Sequence, residues 1–179
     1  MTQPYPSSAP SSGQILHLDR NQATYVFKRL VVVAWRGACD ASAIRRVEVA
    51  TMMALDNSTG KCVAMGIVEP TAVPLSDETR ALTAASNDRL HKAGAMAFAG
   101  VVAQSGFFGS VVRGIVTGLT LLSRSPYPFR MFDDHPDAIT WLAQRAEKEG
   151  VSVSTTDYIN AVTEFRKYYE LLWNRDFKP

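Results

Sequence analysis

The chain has 179 residues, a length that fits one domain plus short extensions, and its 46% hydrophobic and 20% charged residues can build a full core without disulfides or metal. A formal charge of +2, with no Lys/Arg cluster interleaved with aromatics, argues against nucleic acid as the main partner. The two cysteines, Cys39 and Cys62, fall in or beside apolar segments and read as reduced core thiols, and the N-terminus lacks the charged-then-apolar pattern of a signal peptide, so the expected location is the cytoplasm.

Residues 1–13 are Pro/Ser-rich with little to bury and read as a disordered leader. Gln14–Leu18 alternates apolar and polar residues, the pattern of an edge strand. Ala23–Lys28 and the β-branched run Leu30–Trp35, closed by Arg36-Gly37, follow as strands. Asp40 is placed to cap a helix reaching about Asp56, with Ile44, Val47, Ala50 or Thr51, Ala54 and Leu55 inward. The turn signal Asn57-Ser58-Thr59-Gly60 leads to a buried-type strand, Lys61–Glu69. Ser76 caps the next helix, Asp77 and Glu78 sit near the positive end of its dipole, and Ala81, Leu82, Ala85 and Leu90 are its expected inward face.

Ala93–Arg124 is the stretch around which the chain is organised. An apolar run, Ala95–Ala103, reads as a buried strand, and the most hydrophobic helix of the sequence follows it. On a helical wheel Phe107, Phe108, Val111, Val112, Ile115, Val116, Leu119, Leu121 and Leu122 spread over about 220°, where a helix lying on a sheet needs about 100°. The excess arc marks Phe107, Phe108, Val111, Val112, Ile115, Leu119 and Leu122 as a candidate apolar interface or pocket. The run is too short and too often interrupted to span a bilayer.

After Pro126-Tyr127-Pro128 comes a short strand, Phe129–Phe132, and then Asp133-Asp134-His135-Pro136 opens a helix with Ile139, Trp141, Leu142 and Ala146 inward. Gly150 closes it. Thr156–Trp173 is helical by period, and Phe165, Tyr168, Tyr169 and Trp173 are large amphipathic anchors suited to docking on a neighbouring subunit or to covering a flank of their own domain. Alternation of apolar strands with amphipathic helices predicts an α/β fold whose later strands are parallel and joined by right-handed crossovers.

The step Trp35-Arg36-Gly37, the strand–helix alternation and the ending FRMFDDHPDAITWL resemble the SpoIIAA-like, STAS-related family, in which a closing strand reading roughly F-D, an Asp-rich turn and an A-x-x-W-L helix recur. Here these are Phe132-Asp133, Asp134, Ala138 and Trp141-Leu142. The resemblance covers residues 14–150 and implies a mixed β-sheet flanked by about four helices; residues 151–179 would be an added C-terminal amphipathic helix. It also implies a regulatory role, since the best-known STAS domains are anti-sigma factor antagonists with a phosphorylatable Ser or Thr in a D-S-S-G-like step. The equivalent place here is Pro74–Arg80, which lacks that motif and leaves Ser76 and Thr79 as candidate phosphosites.

Catalytic and metal motifs do not stand out. His17, His91 and His135 show no metal spacing, the acidic cluster Asp133, Asp134 and Asp137 is explained by helix capping, and the nucleophile-elbow pattern is missing. Ser105–Ser110 lies where amides attract anions, but it lacks the Lys of a phosphate-binding loop, and Phe107-Phe108 suits an apolar lip better. The expectation is a non-catalytic bacterial regulatory or scaffold protein without cofactor or metal, acting through contacts with itself and a protein partner. The alternative is a carrier or sensor that binds a lipid or other apolar small molecule under residues 107–122.

Overall fold

The computed structural model describes residues 13–73, 75–102 and 126–177. Among them six strands form one mixed sheet in the order β1 (Gln14–Leu18), β2 (Gln22–Phe27), β3 (Leu30–Trp35), β4 (Cys62–Val68), β5 (Ala95–Val102) and β6 (Phe129–Phe132). β1 to β3 make an antiparallel meander, whereas β3 to β6 run parallel. Connection length sets the change of direction. Lys28-Arg29 joins β2 to β3 as a tight turn, while the chain from β3 to β4 crosses through a helix. The described helices are α1 (Ala41–Asp56), α2 (Asp77–Ala93), α3 (His135–Lys148) and α4 (Thr155–Asp176).

The two faces of the sheet are covered by different helices. Leu30, Val32, Ala34, Val63, Met65 and Ile67 point to the side that holds Ile139, Trp141 and Leu142 of α3 and Tyr158, Val162, Phe165 and Tyr169 of α4. Val31, Cys62 and Ala64 point to the other side, against Ala50, Ala54 and Leu55 of α1 and Leu90 of α2. Burial on both faces explains why β3 and β4 read as unbroken apolar runs rather than alternating ones. In β5 the register slips, so that Cys62 lies opposite Ala95 but Ala64 lies opposite Phe98. The extra residue turns Ala97, Ala99 and Val101 toward α3 and α4 while Ala95 faces α1 and α2.

Helix starts are fixed locally. Asp40 accepts from the Ala43 amide, Ser76 from Thr79, Asp134 from Asp137 and Ser154 from Asp157, each cap contributing about 1 kcal/mol. The expected inward face of α2 is corrected. Ala81, Leu82 and Ala85 are exposed, and Thr79, Ser86 and Leu90 are the buried residues. The buried Thr79 hydroxyl lies 2.9 Å from that of Ser76; beside it the Thr83 hydroxyl donates to the Thr79 carbonyl, and Asn87 accepts from Tyr127 at 2.8 Å.

The C-terminal helix is built into the main core. The Phe165 ring stacks on Tyr25 with centroids 4.9 Å apart, and Tyr158 meets Phe27 edge-on at 5.6 Å. Residues 1–12 of the predicted leader lie outside the described residues; Gly13, its last member, lies against the Tyr25 ring. No helix among the described residues is long and apolar enough to cross a membrane.

Candidate functional site

The parallel strands end on one edge of the sheet, and the chain puts a polar residue just beyond three of those ends: Arg36 after β3, Glu69 after β4, and His135 at the start of α3, beyond β6. Backbone hydrogen bonds set the first two, since the Arg36 amide donates to the Asn21 carbonyl at 2.8 Å and the Glu69 amide to the Trp35 carbonyl at 2.9 Å. Side chains two apart on a strand share a face, so Arg36 follows Ala34 toward α4.

There its guanidinium packs in the corner of two rings inclined at 62°, 4.7 Å from the Tyr169 centroid and 4.6 Å from that of Trp173, and it donates to Glu170. Tyr169 and Trp173 are one helical turn apart, which brings both rings to the same flank of α4. A cation over an aromatic face gains about 0.5–2 kcal/mol, more as water is excluded.

Glu69 lies beside this clamp. It is 7% exposed and accepts from Arg166 at 3.3 Å. Burial pushes its carboxyl above the usual carboxylate range, against the pull of Arg166 and Arg36, and Glu170 adds to the rise. His135 completes the edge. Its Nε2 is 3.1 Å from the Thr163 hydroxyl, which itself donates to the Ile159 carbonyl. With its proton committed there, the hydroxyl accepts from His135, which assigns the imidazole proton to Nε2. Burial pushes the imidazole below its ordinary value, and the Arg166 charge pushes it further in the same direction. The Tyr169 hydroxyl is enclosed and has no hydrogen-bond partner among the described residues. The arrangement is therefore a nearly neutral set of paired charges, with one buried guanidinium packed against two rings.

The residues singled out from sequence fall in three groups. Phe107, Phe108, Val111, Val112, Ile115, Leu119 and Leu122 lie outside the described residues. Phe165 and Tyr169 are 0% and 1% exposed, packed into their own domain, the second of the two placements expected for the C-terminal anchors. A ring already stacked on Tyr25 or on Arg36 has no free face to offer. Tyr168 and Trp173 are half-buried, and Leu171, beside them, is exposed. Of the candidate phosphosites, Ser76 is exposed and caps α2, while Thr79 is buried and its hydroxyl is 2.9 Å from that of Ser76.

The histidines are dispersed. His17 bonds to Asp19 at 2.8 Å, and His91 faces the Ala95 carbonyl at 3.3 Å. Among the described residues no group of His, Cys, Asp or Glu is placed to hold a metal ion.

Arg36, Glu69 and Arg166 carry the site and were not marked from sequence. Two signals pointed toward them: an ionisable residue at the very end of each of two buried strands, and Arg166 inside the aromatic period of α4. Neither says that the residues meet. The chain matches no family model, no curated protein and no solved structure.

Proposed function

We propose that this chain is a non-catalytic bacterial regulatory or scaffold protein of the STAS-related kind, acting through protein contacts and assembling with itself. The observation that carries the reading is the filling of the carboxyl edge by α4. Open α/β sheets take small ligands outside the carboxyl ends of their strands, in the crevice that opens where strand order reverses. Here the order runs from β1 to β6 without a reversal, and Tyr169, Glu170 and Trp173 close over Arg36 at that edge. A chain that spends its edge in this way offers faces rather than a cleft. The candidate for such a face is the apolar arc read in the sequence of 107–122, whose width exceeds what one packing partner needs.

Native mass spectrometry of the intact chain, with and without Phe108→Asp, tests this. A dimer or larger species that Phe108→Asp converts to folded monomers supports the reading. A monomeric wild type, or an oligomer that the substitution leaves intact, overturns it.

A second reading, a carrier of a lipid or other apolar small molecule, draws on the sheet itself. Trp35, Phe98, Phe129 and Met131 are half-buried around Gly66 and Gly100. A Cβ on Gly66 would come within 2.6 Å of Trp35 and 2.8 Å of Phe98, so these rings lie directly on the backbone. Such a strip suits an apolar guest. Saturable uptake of a fluorescent fatty acid by delipidated protein supports this reading, and its absence removes it.

A further inference from the structure

We propose that Arg36 is an oxyanion-recognition site held closed in cis by Glu170, and that it accepts a carboxylate or phosphate group presented from solvent. The inference rests on the α4 clamp and not on residues 107–122, so it fails or stands separately from the self-assembly reading.

Exposure within the ion pair is the first argument. The Arg36 side chain is 8% exposed and that of Glu170 is 42% exposed. The cation is the fixed, buried member, and its anion sits on the solvent side. Geometry is the second. Rings at 4.7 and 4.6 Å, inclined at 62° to one another, seat the guanidinium in a corner, and its planar fork of donors matches the two oxygens of a carboxylate or phosphate. Rotation of the Glu170 side chain alone uncovers the fork's edge, because Tyr169 and Trp173 are held by their own packing against each other and against Phe165.

Charge is the third argument. Glu69 and Arg166 neutralise one another next to the clamp, so withdrawal of Glu170 leaves one positive charge in a poorly solvated place, where its attraction for an anion is strong. The Tyr169 hydroxyl, enclosed beside these charges and without a partner among the described residues, is a donor within the same cluster.

Glu170 acts as a tethered competitor whose effective concentration is of millimolar order or above, so an external oxyanion binds the wild type weakly. The test titrates inorganic phosphate and, separately, acetate into the wild type and into Glu170→Ala at constant ionic strength with sodium chloride. The readouts are the melting temperature and the Arg36 Nε–Hε NMR resonance. Removal of the competitor is expected to tighten half-saturation at least about tenfold, and the response should vanish when Arg36→Met is added. The two arms identify the preferred oxyanion. A response no different from chloride, equal half-saturation with and without Glu170, or binding that survives Arg36→Met overturns the proposal. Should Glu170→Ala not fold, the wild-type Arg36 resonance must still shift saturably with one of the two anions, and a resonance that does not move overturns it equally.

Discussion

Gly94 and Gly150 both follow helices with a positive φ, 121° and 73°, yet their surroundings differ. A Cβ on Gly94 would lie 1.9 Å from the Gly60 carbonyl oxygen, a backbone atom that cannot swing aside, whereas a Cβ on Gly150 would meet nothing. Gly94→Ala should therefore cost about 3 kcal/mol or more, combining left-handed strain with overpacking, and Gly150→Ala only about 1 kcal/mol. Urea midpoints of the two variants check this, and equal losses would contradict the contact. His135 gives a second residue-level expectation. Burial, with Arg166 behind it, holds the imidazole below its ordinary value, so the unfolded chain takes up a proton before the native one does. Stability is then complete above the ordinary histidine range and falls as pH drops through it toward the depressed native value. Glu69 has the opposite sign: its carboxyl is raised, so the native state binds the proton more readily and stability falls as pH rises through the carboxylate range. Replacing His135 with Gln should flatten the loss of stability between about pH 7 and pH 5. A wild-type slope that persists in the variant would assign the effect elsewhere.

At the scale of elements, α4 shows how a helix can be amphipathic in sequence yet uneven in energy. Phe165 is fully buried between Tyr25 and Tyr169, so Phe165→Ala should cost about 3–5 kcal/mol in chemical denaturation. Tyr168, one helical position before Tyr169 and half-buried, should lose less than about 1 kcal/mol on change to Ser. Similar costs would mean that the two flanks of α4 are packed alike. The same contrast marks what could be read in advance. Asp40 and Ser76 were legible as caps, and β3 and β4 as buried strands, because these signals lie within a few residues of their partners. The face of α2 was not, because Thr79 and Ser86 are polar residues on its buried side and so break the rule that apolar positions mark the inside. The meeting of Arg36 with α4 could not be read from these local signals. Their ion pair joins residues 134 positions apart, and only the docking of α4 across the strand ends brings them together.

For the molecule as a whole, the layering predicts an order of opening. β4 lies between β3 and β5, with Val63, Met65 and Ile67 fully buried on one side and Cys62 on the other, whereas β1 is half-buried and, among the described residues, paired on one side only. Amides of β1 should exchange by local opening at least about tenfold faster than those of β4, which wait for global unfolding. Cys62 supplies an independent reporter on the α1 and α2 side of the same strand. Burial pushes its thiol up to about 12, so at neutral pH a thiol reagent must wait for the site to open, while Cys39, at about 11 and only partly buried, should label sooner. If the six strands and both helix layers form one cooperative unit, Cys62 labelling and β4 amide exchange yield the same opening free energy. Cys62 labelling that outpaces β4 exchange would instead mean that α1 and α2 lift from the sheet while its strands stay paired. The two helix layers would then be separable, with α3 and α4 holding the sheet on their own.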